Sequence, residues 1–203
     1  MAEKGDRTKI IIGIVIIVGV IILSYILFPS GDRRISAPEE PSGDFEEVEP
    51  LILENMNIQS SAFENQGNIP SKHTCDGEDV SPPLTISEVP EEAQSLVLIV
   101  DDPDASAGAW AHWVVFNIDP KTTLIEENSV PERAIQGLND FGKQTYGGPC
   151  PPSGIHRYSF SLYALDSILE LEAGSKKQDI ENAVAEHMIN QTELVGLYQR
   201  ENN

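Results

Sequence analysis

Short apolar runs dominate the second half of the chain and predict β-strands. Residues 96–100 and 113–118 are rich in β-branched and aromatic side chains, and both end at acidic turns, which is typical of buried strands. Residues 157–165 alternate apolar and polar positions, as a half-buried strand does. Residues 51–58 and 194–198 are two further candidate strands. This pattern predicts a mainly β fold.

One segment near the C-terminus has helical periodicity. Ser175 and Gln178 have the spacing of a capping box, and apolar side chains then recur at helical intervals up to Met188. His187 lies on that apolar stripe, so we expect it to be packed in the core rather than to bind a ligand. The 37 residues between 119 and 157 show little strand or helix pattern, which favours a functional loop region.

An uncharged run of nineteen residues, 10–28, precedes the domain. As a helix it would be roughly 28 Å long, close to the hydrocarbon thickness of a bilayer. The alternatives are a buried core segment or a cleaved signal peptide, but no small-x-small cleavage site follows the run. Three Lys or Arg residues precede it and two follow it. This distribution predicts a single-pass membrane anchor with the N-terminus inside and the domain outside the cytoplasm.

Composition divides the chain into four parts. They are an N-terminal tail at 1–9, a transmembrane anchor at 10–28, an acidic proline-rich disordered linker at 29–50 and a globular domain at 51–203. The whole chain has a formal net charge of −20, and the domain has 24 acidic residues against 8 Lys and Arg. This charge disfavours nucleic acid as a partner. A site for anions would therefore depend on local dipoles.

The first cluster of candidate chemistry lies at residues 101–106, directly after a predicted buried strand. Pro103 fixes the backbone, so the acids on either side of it, Asp102 and Asp104, are held at defined angles. We expect Asp102 to hold one ring nitrogen of His112 and so to fix its tautomer. The alternatives are a capped surface turn and a purely structural Asp–His pair. Trp110 could form a wall of the same site.

The second cluster lies at residues 147–158 and combines glycines, prolines and a strand start. Gly148 could approach a ligand closely and contribute a backbone N–H to an anion-binding nest. Strand alternation places His156 and Tyr158 on one face and Arg157 on the other. Arg157 could pair with Asp104 and brace the first cluster.

Cys75 and Cys150 are the two cysteines. Outside the cytoplasm they could form a disulfide, whereas two buried free thiols are the alternative. His112, His156 and Asp102 could also form a two-His-one-carboxylate metal site. A Gly-Pro turn surrounds them rather than further acids, so we expect no metal and no cofactor.

The domain resembles the phosphatidylethanolamine-binding protein family, in the Raf kinase inhibitor-like branch of bacteria and archaea. The resemblance rests on six segments in the same order: 72–84, 100–105, 112–118, 139–142, 146–152 and 156–166. It implies packed antiparallel β-sheets with a few peripheral helices. It also implies a small anion-binding pocket lined by Asp102, His112, Gly148, His156 and Tyr158, with Asp104 and Arg157 as a brace. Ser106 stands where the family usually has proline.

These observations together predict a membrane-anchored, non-enzymatic binding protein. Its pocket would take a small anion or a phosphorylated ligand, such as phosphate or a phospholipid head group. One alternative is a protein that inhibits a protease or a kinase through its surface, with an unknown protein partner. The other is a weak phosphoester hydrolase that uses His112 or His156 as a base.

Overall fold

The computed structural model describes residues 55–200. This part contains nine strands, one α-helix and one 3-10 turn. The strands are β1 Asn57–Ser60, β2 Gly67–Asn68, β3 Leu84–Ser87, β4 Ser95–Asp102, β5 Trp110–Ile118, β6 Leu124–Ile125, β7 Ile135–Gln136, β8 His156–Leu165 and β9 Met188–Tyr198. The helix, α1, spans Lys177–His187, and the 3-10 turn spans Ser71–His73. The mainly β prediction is confirmed, with one α-helix in the described part rather than a few.

The strands form two sheets. The smaller sheet has the order β1-β3-β6, and the larger has the order β2-β9-β8-β4-β5-β7. All pairings are antiparallel except the short parallel contact between β2 and β9. Strands β4, β5 and β8 therefore form the centre of the larger sheet.

Strand β4 is buried on both faces, which explains its continuous apolar run. Leu98 and Val100 pack in a core cluster with Ile86 of the smaller sheet. Val97, which points the other way, packs in a second cluster with Ile180 of α1. A strand covered on both faces has no solvent-facing positions, so its sequence does not alternate.

Strand β9 is longer than the predicted strand at residues 194–198, because it begins at Met188. Its first half pairs with β8 through residues such as Asn190 and Thr192, whereas β2 covers it only at Gly196 and Leu197. The first half is therefore an edge strand whose side chains are mostly exposed or half-buried. Polar residues suit such an edge, and the apolar pattern alone could not reveal it.

Two expectations about the helix were wrong. No side chain caps the N-terminus of α1, and the Ser175 hydroxyl donates to the Glu172 carbonyl instead. The His187 side chain is 40% exposed and lies 3.0 Å from the Asp166 carboxylate, so it is not a core histidine. His187 is the last residue of α1, directly before β9 begins at Met188.

The predicted tail, anchor and linker all lie outside the described residues, as does the start of the candidate strand at 51–58. The observed strand β1 begins at Asn57. Within residues 55–200, no helix is both long enough and apolar enough to cross a membrane.

Candidate functional site

The central strands bring the predicted site residues to one end of the larger sheet. Asp102 is the last residue of β4, whereas Trp110 and His156 are the first residues of β5 and β8. Because β4 is antiparallel to both neighbours, its C-terminal end lies beside the start of each. His112 and Tyr158 follow two residues into their strands, on the same side as the first residue.

Asp102 binds His156 rather than His112. Its Oδ2 atom accepts a hydrogen bond from His156 Nδ1 at 2.7 Å, and its Oδ1 atom accepts from the Asp104 backbone N–H at 2.9 Å. Asp102 is only 4% exposed. The carboxylate therefore fixes the tautomer of His156, with the proton on Nδ1. The expectation that Asp102 orients His112 was wrong, because the Asp102 carboxylate binds His156 and the Asp104 backbone N–H instead.

His112 is held by a backbone carbonyl. Its Nδ1 atom lies 2.6 Å from the Gly147 oxygen, and since a carbonyl can only accept, Nδ1 carries the proton. Burial lowers the pKa of His112, although the Gly147 carbonyl and the charge of Asp102 oppose this. The ring is thus neutral near pH 7, with its lone pair on Nε2.

Tyr158 lies against His112, with the two ring centroids 5.2 Å apart in an edge-on arrangement. The residue is fully buried, and its hydroxyl has no hydrogen-bond partner in the described part of the chain. Burial and the charge of Asp102 both raise the pKa of Tyr158 well above its usual range. The hydroxyl is therefore a protonated donor in a site that otherwise contains two imidazoles and a carboxylate.

Gly148 occupies a different role from the predicted one. Its backbone N–H donates to Asp79 Oδ1 at 2.6 Å and so is not open to a ligand. A Cβ atom at this position would lie 2.7 Å from Asp79 Oδ1, from the His73 carbonyl oxygen and from the Thr74 Cα atom. The glycine is needed because the Ser71–Asp79 loop packs directly on its backbone.

Asp104 and Arg157 form the predicted brace between the two clusters. The Arg157 guanidinium donates to both carboxylate oxygens, at 2.7 and 2.9 Å, and the Arg157 backbone N–H donates as well. These hydrogen bonds lower the pKa of Asp104 to about 2. Trp110 is half-buried and packs edge-on against Phe141, with centroids 5.5 Å apart.

A disulfide joins the second cluster to the Ser71–Asp79 loop. Cys75 and Cys150 are bonded, with their Cα atoms 5.5 Å apart. The Cys75 backbone N–H donates to the Pro149 carbonyl at 3.1 Å, and the Tyr146 hydroxyl donates to the His73 carbonyl at 2.8 Å. These links hold the turn whose Gly147 carbonyl orients His112.

Sequence reasoning missed three residues that shape the site. Asp79 accepts the hydrogen bond of the Gly148 backbone N–H, and the Tyr146 hydroxyl joins the same turn to the Ser71–Asp79 loop. Phe141 is 43% exposed and lies edge-on to His112, with centroids 5.3 Å apart, so it forms an outer wall. Tyr146 and Phe141 lie in segments with no strand or helix pattern, and Asp79 lies far away in sequence, so periodicity carried no signal for any of them.

The described residues contain no group of three or more His, Cys, Asp or Glu side chains that could hold a metal ion. A cavity of about 490 Å³ lies beside α1, next to Lys177 and Asp140. Another, of about 370 Å³, lies next to Val89 and Lys121. Neither cavity is lined by the side chains that converge at the end of the sheet, which are Asp102, His112, His156 and Tyr158. The candidate site is therefore defined by these buried, chemically complementary groups rather than by a large cavity.

Comparison with known proteins points to one family. The family model described as phosphatidylethanolamine-binding protein matches residues 59–199. A UPF0098 protein from Methanothermobacter thermautotrophicus is 52% identical over 150 residues, which are 71% of this chain and 99% of the relative.

Two crystal structures resemble the described fold. A phosphatidylethanolamine-binding protein homologue from Chlamydia trachomatis superposes with a TM-score of 0.70 at 42% identity, covering 73% of this chain and 99% of the other. Escherichia coli YbcL, described as a new member of the mammalian PEBP family, superposes with a TM-score of 0.69 at 29% identity, covering 72% and 99%.

Proposed function

Because the chain belongs to the phosphatidylethanolamine-binding protein family, we propose that it is a non-enzymatic binding protein. Its ligand is a small anion or a phosphorylated group, such as phosphate or a phospholipid head group. The ligand binds between the Asp102–His156 pair, His112 and Tyr158.

The buried hydroxyl of Tyr158 carries this proposal. A buried donor without a partner costs on the order of 1–3 kcal/mol, so native proteins rarely keep one without a reason. Here the donor lies beside the ring of His112, whose Nδ1 atom is held by the Gly147 carbonyl. A ligand oxygen placed between them would satisfy the tyrosine.

The charge distribution favours a small ligand over a large anionic surface. Arg157 pairs with Asp104 at 2.7 Å, Arg200 with Asp76 at 2.8 Å and Lys177 with Asp101 at 2.7 Å. These cations are already neutralised by protein acids. Attraction for an anion must then arise within the site, where low polarity strengthens short-range contacts.

The direct test is a titration of the full chain with phosphate or phosphoethanolamine, followed through its amide NMR signals. We expect shifts at His112 and Tyr158, and their loss in a His112→Ala variant. His187→Ala is the matched control, because His187 lies at the opposite end of β8 and should leave the shifts intact. Spectra that stay unchanged at millimolar ligand would contradict the proposal.

A second candidate function, phosphoester hydrolysis, is favoured by the Asp102–His156 pair. A carboxylate that accepts a hydrogen bond from Nδ1 orients the imidazole so that it can act as a general base. Turnover of a phosphoester panel by the full chain, abolished by His156→Gln, would favour this function over binding alone.

We also propose that residues 10–28 anchor the domain to a membrane, with the domain outside the cytoplasm. The support is the nineteen-residue uncharged run and the charge distribution around it. Protease digestion of intact and lysed cells tests this topology. The domain should be cleaved in intact cells once the protease can pass the cell's outer barrier.

A surface that inhibits a protease or a kinase is the alternative function. Capture of such a partner while the site holds phosphate would favour it.

A further inference from the structure

The protein itself uses most of the hydrogen-bond donors near the site. The Gly148 N–H binds Asp79, and the Asp104 N–H binds Asp102. The Arg157 guanidinium and backbone N–H both bind Asp104. The donors that an anion would ordinarily seek in such a turn are therefore already occupied.

One neutral donor, the Tyr158 hydroxyl, has no partner beside the site in the described part of the chain. The imidazoles of His112 and His156 carry their protons on Nδ1, where the Gly147 carbonyl and Asp102 hold them. The neutral ring of His112 can then offer only the lone pair of Nε2, which repels an anion.

Resting on the proposed function, we infer that this site binds an anion together with one proton, and that the proton goes to Nε2 of His112. The proton comes from solvent or buffer, and no other bond forms or breaks. His112 then carries an N–H on each nitrogen, one donating to Gly147 and the other to a ligand oxygen.

His112 suits this role better than His156 because of the partners of their Nδ1 atoms. His112 donates to a neutral carbonyl, so protonation adds a full positive charge beside the ligand. His156 donates to the Asp102 carboxylate, so protonation yields a neutral ion pair with little attraction for an anion. The Asp102 carboxylate repels an anion that binds beside it, so binding needs a positive charge that offsets this repulsion.

The groups around His112 favour a proton there once a ligand is bound. Asp102 of β4 and Asp140 of the neighbouring loop are acids whose charges favour the imidazolium, and the Tyr158 ring of β8 is un-ionised. Burial alone opposes the charge. The negative charge of a ligand offsets the cost of burying a positive ring. Ligand and proton therefore bind cooperatively, and each strengthens the binding of the other.

Sulfate is a suitable probe, because it does not change its own charge between pH 6 and 8. We expect calorimetric titration of the full chain, in two buffers of different ionisation enthalpy, to show uptake of about one proton per sulfate at pH 7.5. The affinity should rise about tenfold for each unit by which the pH falls, as long as the His112 ring of the free protein is neutral. In ¹⁵N NMR, Nε2 of His112 should change from an unprotonated to a protonated nitrogen when sulfate is added.

His112→Gln should abolish the proton uptake, since its amide donates without titrating, while His187→Gln should leave it unchanged. Sulfate binding without proton uptake would overturn this inference and leave the binding function intact. Uptake that persists in His112→Gln would also overturn it, by placing the proton elsewhere. Should sulfate, phosphate and phosphoethanolamine all fail to bind, both proposals fall together. The NMR readout needs no variant, so it applies even if His112→Gln does not fold.

Discussion

Two tyrosines beside the site, the half-buried Tyr146 and the fully buried Tyr158, differ in one hydrogen bond. The Tyr146 hydroxyl donates to the His73 carbonyl at 2.8 Å, whereas the Tyr158 hydroxyl has no partner in the described part of the chain. Burial raises the pKa of both hydroxyls, so both stay protonated at neutral pH. Tyr146 therefore has a structural role, and we propose that Tyr158 keeps its donor for a ligand.

Removing each hydroxyl should have opposite effects on stability. Tyr146→Phe loses a hydrogen bond and leaves a carbonyl unpaired, so its free energy of unfolding should fall by about 1–2 kcal/mol. Tyr158→Phe removes an unpartnered buried hydroxyl, so its stability should be unchanged or slightly higher, while phosphate binding weakens. Urea denaturation measures the first quantity and calorimetry the second. An equal loss of stability in both variants would contradict this assignment.

At the scale of elements, the Ser71–Asp79 loop acts as a clamp on the turn at residues 146–150. A disulfide, the Tyr146 hydroxyl and two backbone N–H groups join the two segments. The turn has no regular secondary structure of its own, so these links, together with the Gly147–His112 backbone bond of 3.0 Å, define its position. The orientation of His112 thus depends on a loop that is remote in sequence.

Breaking the Cys75–Cys150 bond should destabilise the domain. The bond joins residues 75 positions apart, and closing a loop of this length typically stabilises a fold by about 2–4 kcal/mol. We expect the Cys75→Ala/Cys150→Ala variant to unfold at lower urea concentration than the oxidised protein. Reductant should lower the stability of the parent protein to that of the variant and leave the variant unaffected. A parent protein that is fully reduced, yet equally stable, would refute this expectation.

At the scale of the whole molecule, an acidic protein is proposed to bind an anion. The chain carries −20 formal charges, so its long-range field repels such a ligand. Burial shields the proposed site from that field, because Asp102, His112 and Tyr158 are all less than 5% exposed. Affinity should then depend on a few short contacts rather than on the overall field.

The buried His112 should make the stability of the domain depend on pH. Burial holds its folded-state pKa below the ordinary value of 6.5. As the pH falls through 6.5, the unfolded chain therefore binds a proton that the folded chain does not, and the free energy of unfolding decreases by up to about 1.4 kcal/mol per pH unit. Above pH 6.5 this contribution is fully present.

Urea denaturation between pH 7.5 and 5 checks this dependence. His112→Gln should show a smaller loss than the parent protein over that range, whereas His187→Gln should keep the full loss. Parallel curves for the parent protein and His112→Gln would show that His112 does not cause the pH dependence.

The part of this protein that could be predicted from sequence is what neighbouring residues decide. Apolar runs marked β4 and β5, which are buried on both faces, whereas alternation marked β8, which has one half-buried face. Strand alternation placed His156 and Tyr158 on one side and Arg157 on the other. The pairing of Arg157 with Asp104 was also anticipated, because a guanidinium and a carboxylate at adjoining strand ends are mutually attractive.

Tertiary structure alone decided which groups each site residue binds. The alignment of β4 with β8 places the Asp102 carboxylate against His156. In the same way, the remote Ser71–Asp79 loop accepts the hydrogen bond of the Gly148 N–H through Asp79. The polar half of β9 formed a strand because β8 offered it a backbone partner, not because its own side chains required one. Hydrogen bonds are short and directional, so they depend on strand register and loop position to within an ångström. A one-dimensional pattern of residue types specifies which faces are buried, but it does not carry distances of that precision between remote segments.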